Sequence, residues 1–279
     1  MSGVAERTEP LLPGPAQALG ALLDVPVPDL AGGAGLPLLW HWIYLLDRPG
    51  QADLGPDGHP VRGTIPSPPG PGRRRMWAGG RVRMSGSLTC DGEPATKRSR
   101  VLSTREKQGR SGQLTIIVVE HQVSQRGRIV IDEQQDIVYR EAVSAGGPAP
   151  VPTAAPLVPP ADGEWAIEVS PTLLFRFSAL TYNAHRIHYD RDFARDVEGY
   201  PGLLTHGPLQ ALAMAEAARA AGGQAGDLSF EYRLLSPLFD HQGMVVSAAQ
   251  EGDATVTAVR DVHGRHTASG VLRNAGTSQ

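Results

Sequence analysis

The sequence predicts an α+β protein built from two similar halves. Three observations support this fold class: each half has an apolar run of helical length, four strand-like runs follow each of them, and a proline-rich stretch separates the halves. That stretch, Ser144–Glu164, carries six prolines and almost no charge, which favours an extended linker over a packed core. We therefore predict a first domain over residues 1–143, a linker over 144–164 and a second domain over 165–279.

In the first half, the predicted helix is LPLLWHWIYLLD (Leu36–Asp47), which is apolar on nearly all faces and ends before Arg48-Pro49-Gly50. The proline cluster from Ile65 to Gly72 then predicts a long loop. The basic run Arg73-Arg74-Arg75 follows, and its default interpretation is a solvated loop, with phosphate binding as the alternative. Four strands are predicted next: GGRVRMSGSL, TKRSRVLSTREK, QLTIIVVEHQV and RIVIDEQQDIVYR.

In the second half, TLLFRFSAL (Thr172–Leu180) is interpreted as a strand, and the polar segment TYNAHRIHYD follows it. A helix is predicted from about Gly207 to Ala221, since Pro208 suits a first helical turn and Gly222-Gly223 suit the exit. Its body, LQALAMAEAARA, is apolar on most faces and should be largely buried. Four strands are predicted after it: DLSFEYRLL, GMVVSAAQ, ATVTAVR and RHTASGVLR.

An antiparallel sheet wrapped round one central helix is the hot-dog fold. The order of one helix and four strands, found twice, therefore predicts two hot dogs in tandem. A generic α+β pair of layers is the alternative that the same order allows.

Composition limits the function classes. The formal net charge of −3 gives no electrostatic footprint for nucleic acid or for an anionic membrane. Cys90 is the only cysteine, so neither a disulfide framework nor a cysteine-based metal cluster is expected. No apolar run has the length of a membrane span, and MSGVAERTEP lacks the layout of a signal peptide. A soluble cytoplasmic protein is expected.

The densest polar cluster runs from Tyr182 to Asp190 and contains His185 and His188, three positions apart. A histidine near its ordinary pKa exchanges a proton at neutral pH, so the cluster is a candidate for acid–base chemistry. A solvated loop with capping side chains is the structural alternative. A metal site built on His185, His188 and Asp190 is disfavoured, because histidine pairs on helices usually bind zinc at i, i+4 and no HExxH is present.

A second candidate is GYPGLLTHGPL (Gly199–Leu209), which leads into the predicted buried helix. A helix N-terminus presents unpaired N–H groups and a partial positive charge, and such groups can form an oxyanion hole for a thioester. An ordinary glycine-rich helix entry explains the same spacing. Dinucleotide, P-loop and GxSxG motifs are absent from the sequence.

The segment FRFSALTYNAHRIHYD (Phe175–Asp190) resembles the MaoC-like hydratases of the tandem hot-dog kind. Within that family the chain looks most similar to the mesaconyl-C4-CoA (3-methylfumaryl-CoA) hydratases. It also resembles itaconyl-CoA hydratases and the mitochondrial type 2 hydroxyacyl-thioester dehydratases. The resemblance covers roughly residues 36 to 240 and is carried, in the family's order, by LPLLWHWIYLLD, RRRMWAGGRVRM, GRSGQLTIIVVEH, EQQDIVYR, VEGYPGLLTHGPL and SPLFD.

The resemblance implies a hydro-lyase that adds water reversibly across the double bond of an enoyl thioester. Single-domain relatives hold the water with an aspartate and a histidine five residues apart. His188 falls on the histidine position, but Asn183 stands where the aspartate is expected. An amide is not a general base, although it can accept a hydrogen bond from water or donate one to the substrate. His188 and Asn183 are the expected catalytic residues, and His185 or Asp190 is a candidate to share proton transfer.

The resemblance further implies that the thioester oxygen accepts N–H bonds near Gly207. The other expected substrate-binding residues are His206, His185, Arg186 and Tyr182. No metal, nucleotide or flavin cofactor is expected, because the substrate itself carries the coenzyme A. In such tandem proteins the first half shapes the acyl pocket while the second half catalyses. The expected partners are an acyl-CoA substrate and a second copy of the chain in a homodimer, with neither nucleic acid nor membrane.

Three functions remain open from the sequence. The first is hydration of a short, branched, dicarboxylic enoyl-CoA such as mesaconyl-C4-CoA or itaconyl-CoA. The second is dehydration of a 3-hydroxyacyl thioester in fatty-acid or secondary metabolism. The third, different in class, is a hot-dog thioesterase or a non-catalytic acyl-CoA binder, which the asparagine at position 183 leaves open.

Overall fold

One antiparallel sheet of ten strands dominates the part of the chain that the computed structural model describes, residues 3–69, 73–109, 112–141, 156–222 and 226–274. The strands are β1 (Ala5–Pro10), β2 (Arg73–Met84), β3 (Pro94–Gly109), β4 (Gly112–Gln125), β5 (Arg128–Glu141), β6 (Trp165–Ile167), β7 (Leu228–Leu234), β8 (Met244–Glu251), β9 (Ala254–Arg260) and β10 (His266–Asn274). Their order across the sheet is β1-β3-β4-β5-β2-β7-β10-β9-β8-β6. The strands of the first half therefore form one side of the sheet and those of the second half form the other.

The helices are few and unequal in burial. The α-helices in the described residues are α1 (Pro13–Leu23), α2 (Pro171–Leu180) and α3 (Gly207–Ala220). Short helical turns lie at Trp40–Ile43, Gln51–Asp53, Arg186–His188, Phe193–Val197 and Asp240–Gln242. No helix in the described part of the chain is long and apolar enough to cross a bilayer.

The two halves join where β2 pairs with β7. The register runs from Gly79 opposite Arg233 to Met84 opposite Leu228. Gly80 lies at this junction. A Cβ there would press against the ring of Tyr232 on β7 and against the backbone of β5 at Gln134. Glycine thus permits the close approach of the two halves, and it leaves one continuous inner face on which both can build a site.

Helix α3 is confirmed at the predicted position. Pro208 occupies its first turn, and most of its apolar side chains are fully buried, including Leu209, Leu212 and Met214. The helix packs against β8, β9 and β10. Its one buried carboxylate, Glu216, is satisfied by the Trp40 indole N–H at 2.7 Å and by the Arg219 guanidinium. Burial of nearly the whole circumference explains why the sequence is apolar on most faces.

The helix predicted over Leu36–Asp47 is wrong. Only Trp40–Ile43 forms a short 3₁₀ turn, and Leu39 and Leu45 on either side have left-handed backbone conformations with φ of 68° and 52°. The segment lies between the halves, and side chains two positions apart bind partners in different halves. Trp40 binds Glu216, and Trp42 binds Glu133. A buried irregular segment and a buried helix are equally apolar all round, and the pattern does not separate them.

The strand predicted over Thr172–Leu180 is also wrong, because these residues form α2. Ser170 caps the helix by accepting a hydrogen bond from the Leu173 N–H at 3.2 Å, and Pro171 follows in the first turn. The buried side chains Leu173, Leu174, Phe177 and Ser178 have helical spacing. Aromatic and apolar residues favoured a strand in the prediction, but the Ser-Pro cap and this spacing are the stronger signals.

Eight of the nine predicted strands are present, the exception being Thr172–Leu180, and β1, β6 and α1 add to them. The basic run Arg73-Arg74-Arg75 opens β2 and is half-buried, so the solvated-loop interpretation is wrong. Within the predicted linker, residues 144–155 lie outside the described residues. The remainder, 156–164, is held to the second half by Arg260, which binds Glu164 and the backbone of Val158 and Pro159.

Candidate active site

A cavity of about 1670 Å³ lies between the inner face of the first-half sheet and the segments around α2 and α3. Its walls include the loop from Pro49 to Pro68, the first residues of β2, the turn after α2 and the N-terminus of α3. Both halves therefore contribute to one site. Among the site residues predicted from the sequence, those lining it are Tyr182, Asn183, His185, His188 and Gly207.

His188 is held from two sides. Its Nδ1 lies 2.7 Å from the Leu204 carbonyl oxygen, so Nδ1 carries the proton and Nε2 is the acceptor nitrogen. Its ring stacks on that of His206, with centroids 3.6 Å apart and planes 18° from parallel. Burial lowers the pKa of His188 to about 4, although the bond to Leu204 raises it. The imidazole is therefore neutral at physiological pH and able to accept a proton.

His206 supports His188 from behind and does not line the cavity. It is 1% exposed, and its Nε2 lies 2.9 Å from the Ser178 hydroxyl on α2. Burial, followed by the charges of His188 and His185, lowers its pKa well below the ordinary value. Its position fits a positioning residue better than the substrate-binding role predicted from the sequence.

His185 continues this group of rings towards the first half. Its ring meets that of His188 edge-on at 5.5 Å and lies 4.0 Å from the ring of His59. Its Nε2 is 4.0 Å from Asp57. Burial, and then the charges of His188 and Arg75, lower the pKa of His185 to about 2. We call His59, His185, His188 and His206 the histidine cluster.

His59 and Asp57 were missed in the sequence. They lie on the first-half loop, far from the second-half cluster along the chain, and their only signal is the turn chemistry of PDGHP. Gly58 between them has φ of 84°, and a Cβ there would overlap the carbonyl oxygen of Ala184. Glycine is required for the loop to reach the turn that carries His185.

Asn183 uses its side-chain oxygen locally. Its Oδ1 accepts a hydrogen bond from the His185 backbone N–H at 3.0 Å, which is the geometry of an Asx turn. This turn sets the backbone that places His185 and His188 beside the cavity. One lone pair of Oδ1 is thereby used, a second can still accept, and the amide NH₂ is the donor that Asn183 can offer to water or substrate.

Two other predicted substrate-binding residues have peripheral positions. Arg186 does not line the cavity: its guanidinium binds Asp190 at 2.7 Å and the Pro56 carbonyl at 3.1 Å, and it lies over the Phe193 ring. Arg186 thus holds the first-half loop against the turn. Its ion pair also engages the carboxylate of Asp190, which the sequence had offered as a candidate for proton transfer. Tyr182 lies at the rim with 55% of its surface exposed.

The start of α3 supplies donors at the cavity wall. Gly207 is the first residue of the helix, where N–H groups have no intrahelical acceptor, and Pro208 contributes none. A Cβ at position 207 would overlap the Leu234 side chain, so glycine keeps this wall narrow. Thr205 also lines the cavity, and its buried hydroxyl has no partner among the described residues. Sequence reasoning did not single out Thr205.

A second polar group lines the first-half wall. Glu133 is 2% exposed and accepts hydrogen bonds from Trp42 Nε1 at 2.9 Å and Gln135 Nε2 at 2.7 Å, and it lies 2.9 Å from His41 Nε2. Burial raises the pKa of Glu133, but the bonds and charge of His41 outweigh this and lower it to about 2. Its oxygens are thus fully engaged, which indicates a structural anchor for the irregular segment around Trp40.

The described residues contain no group of three or more histidine, cysteine, aspartate or glutamate side chains arranged to hold a metal ion. The histidine cluster is an array of stacked and edge-on rings, which is not an arrangement of ligands around a common centre.

Comparison with known proteins gives consistent results. The family model for hydroxyacyl-thioester dehydratase type 2 matches residues 39–240. The chain is 45% identical to the mesaconyl-C(4)-CoA hydratase of Chloroflexus aurantiacus over 241 residues, covering 85% of this chain and 84% of that one. It is 25% identical to the mitochondrial hydroxyacyl-thioester dehydratase type 2 of Schizosaccharomyces pombe, covering 77% and 78% of the two chains.

The fold also has solved counterparts. A Mycobacterium tuberculosis protein described as having a double hotdog fold superimposes with a TM-score of 0.57 at 15% identity, covering 97% of this chain and 94% of that one. The tandem hot-dog fold predicted from the sequence is thereby confirmed, with α3 as the central helix of the second half.

Proposed function

The chain belongs to the hydroxyacyl-thioester dehydratase type 2 family and is an acyl-CoA hydratase, and we propose that it acts on a short, branched, dicarboxylic enoyl-CoA such as mesaconyl-C4-CoA or itaconyl-CoA. The identity of 45% to a mesaconyl-C(4)-CoA hydratase, over most of both chains, supports this substrate class. The observation that carries the proposed chemistry is the neutral His188, with its acceptor nitrogen in a cavity that also holds the N-terminus of α3.

In the proposed reaction, written for mesaconyl-C4-CoA, the thioester oxygen accepts a hydrogen bond from the Gly207 N–H. His188 Nε2 takes a proton from water as the water oxygen bonds to C3 of the enoyl group. Negative charge passes to the thioester oxygen, where the N-terminus of α3 stabilises it. The imidazolium then returns a proton to C2, so water is added and the enzyme is regenerated. The same groups catalyse dehydration in reverse.

Asn183 contributes by donation in this scheme. With Oδ1 bound to the His185 N–H, its NH₂ group is available to the water or to the substrate. Of the two roles that the sequence left open, we propose the donor role. A donor also suits a substrate whose acyl group carries a carboxylate.

A second candidate is dehydration of a 3-hydroxyacyl thioester in fatty-acid or secondary metabolism. It is favoured by the match to the mitochondrial dehydratase of Schizosaccharomyces pombe. Both candidates use the same site chemistry and differ in the acyl chain and in the direction of the reaction.

The test is to incubate the purified protein with mesaconyl-C4-CoA, itaconyl-CoA and a straight-chain enoyl-CoA. A product heavier by one water, formed without release of free thiol, is the expected result with the dicarboxylic esters. Turnover of the straight-chain ester alone would favour the dehydratase candidate. Thiol release would indicate a thioesterase, and binding without reaction would indicate an acyl-CoA binder.

We propose that the reaction requires no metal, nucleotide or flavin, since the coenzyme A is part of the substrate and the proposed steps move only protons. Action in the cytoplasm and assembly as a homodimer complete the proposal. Sedimentation of the purified protein and fractionation of cells that produce it test these two points.

A further inference from the structure

Arg75 is a cation without a matching anion in the wall of the cavity. It lies on β2 opposite Tyr139, on the inner face of the first-half sheet, and is half-buried. Its Nε is inaccessible to solvent and has no hydrogen-bond partner among the described residues. A buried charge in that condition is costly unless a ligand compensates it.

Of the other four Arg and Lys residues of this wall, Arg74, Arg140 and Lys97 have anionic neighbours, whereas the partner of Arg73 among the described residues is the Gln113 carbonyl oxygen. Arg74 lies 2.8 Å from Glu198, Arg140 also acts on Glu198, and Lys97 lies 3.5 Å from Asp47. The carboxylate whose charge reaches Arg75 is that same Asp47, which is already shared with Lys97 and Arg7. Arg75 therefore shares with Arg73, and not with Arg74, Arg140 or Lys97, spare capacity for an anion.

Arg75 is also close enough to the reacting end of the cavity to act on it. Its positive charge is one of the causes that lower the pKa values of His59 and His185. In a mesaconyl-C4 ester the free carboxylate is attached to C3, the carbon that takes the hydroxyl group. The free carboxylate and the carbon that water attacks are thus directly bonded, so a residue that binds the one acts beside the other.

We propose that Arg75 binds the free carboxylate of the acyl group and makes the enzyme selective for dicarboxylic over neutral enoyl thioesters. This inference rests on the proposed function, because it names the residue that reads the substrate class. A guanidinium fits the role, since it offers paired N–H donors to two carboxylate oxygens and stays charged when buried. The first half then supplies specificity while the second half supplies the base.

The test compares Arg75→Gln with wild type on two esters: mesaconyl-C4-CoA, and 3-methylcrotonyl-CoA, which has a methyl group in place of the carboxylate. The expected result is a fall of about 100-fold in kcat/KM for the dicarboxylic ester, the usual effect of losing a hydrogen bond to a charged group. The KM of the neutral ester, or its inhibition constant if it only competes, should change less than about threefold, since that ester lacks the group Arg75 binds. Arg83→Gln is the matched control, because Arg83 is exposed on the same strand.

An equal loss on both esters would overturn the inference, since it would indicate binding of the coenzyme A phosphates that both share. If Arg75→Gln does not fold, Arg75→Lys keeps the charge, and an intermediate loss confined to the dicarboxylic ester is then expected. Failure of wild type to hydrate mesaconyl-C4-CoA would overturn the proposed function itself. Normal wild-type activity with an unselective Arg75→Gln would overturn only the role of Arg75.

Discussion

At the scale of single residues, His188 is fixed by the Leu204 carbonyl on one side and by the His206 ring on the other. Both contacts hold the ring so that Nε2 stays in the acceptor form. A base that is already oriented and neutral needs no reorganisation when water arrives. Burial lowers the pKa of His188 to about 4, so the neutral, proton-accepting form of the ring persists throughout the neutral range.

Replacement of the proposed base gives the first prediction. His188→Ala should lower kcat by ~10²–10⁴, the usual contribution of a positioned proton-transfer group. Steady-state rates with the preferred ester measure the effect, and circular dichroism checks that the fold remains. His266→Ala, on an exposed histidine, is the control and should be fully active. A His188→Ala enzyme with most of its activity would exclude His188 as the base.

The second prediction concerns Asn183. Asn183→Asp keeps the oxygen that accepts the His185 N–H, but it replaces the NH₂ donor with a negative charge. If Asn183 donates to the substrate, we expect kcat/KM to fall for Asn183→Asp as far as for Asn183→Ala. The melting temperature should separate the two variants, since only alanine removes the turn, at a cost of about 0.5–1.5 kcal/mol. Activity retained in Asn183→Asp would instead support an acceptor role towards water.

Sequence reasoning reached the second-half residues of the site but not those of the first half. Asn183, His185 and His188 lie close together in the sequence, so a local pattern revealed them. His59, Glu133 and Arg75 reach the cavity only through the pairing of β2 with β7 and the path of one loop. That long-range geometry has no local signature, and no spacing in the sequence encodes it.

At the scale of elements, the loop that carries Asp57 and His59 docks on the turn after α2. Arg186 fixes it by two contacts: its backbone N–H binds the Asp57 carbonyl at 2.8 Å, and its guanidinium binds the Pro56 carbonyl. The docking depends on Gly58, whose lack of a side chain permits contact with Ala184. The loop is thus part of the site and not only its border.

This dependence gives the third prediction. The kcat/KM of Gly58→Ala should be at least ~10-fold lower than that of Gly63→Ala, because displacement of the loop misplaces groups around His185. Gly63 is the matched control: its φ of 76° carries the same backbone cost of about 1–2 kcal/mol, but nothing lies within 4 Å of its Cβ position. Kinetics and thermal unfolding of both variants make the comparison. Equal activity in the two would show that the docking contact is dispensable.

The two mistaken elements show what a local pattern can and cannot predict. The helix α2 was predictable, since Ser170 and Pro171 form a standard cap and the buried positions have helical spacing. The irregular path of Leu36–Asp47 was not predictable. It contains the left-handed residues Leu39 and Leu45, and its tryptophans bind carboxylates in different halves, Glu216 and Glu133. Tertiary contacts, absent from the local sequence, decide such a segment.

At the scale of the whole molecule, the histidine cluster, neutral in the native protein, makes stability sensitive to acid. The native pKa values of His188 and His185 are lowered to about 4 and about 2, and those of His59 and His206 are also lowered. The unfolded chain takes up these protons below about pH 6.5, where the native protein does not. Stability therefore falls as the pH is lowered from about 6.5 towards the native values.

The fourth prediction follows from that sign. The free energy of unfolding from denaturant titrations should fall between pH 6.5 and pH 4, by up to ~1.4 kcal/mol per pH unit for each histidine. His185→Gln should reduce the slope of the unfolding free energy against pH by the equivalent of about one proton taken up on unfolding. His266→Gln should leave that slope unchanged. A stability that stays level over this range would contradict the burial of the cluster in neutral form.

The fifth prediction concerns metal dependence of the whole enzyme. Exhaustive chelation followed by gel filtration should leave kcat unchanged, because the proposed steps require only proton transfer and N–H donors. Metal analysis of the same sample verifies that the measured rate belongs to metal-free protein. Loss of activity that added zinc restores would overturn the proposed mechanism.

The pairing of β2 with β7 also removes a restriction that separate subunits would impose. Two identical hot dogs joined about a twofold axis must present every side chain twice, so a change that improves one copy of a site alters the other as well. Joined in one chain, the halves can diverge independently. One can collect the proton-transfer groups while the other becomes a cation-lined receptor for the acyl group. Two halves joined in one chain can thus build one composite site in place of two equal ones.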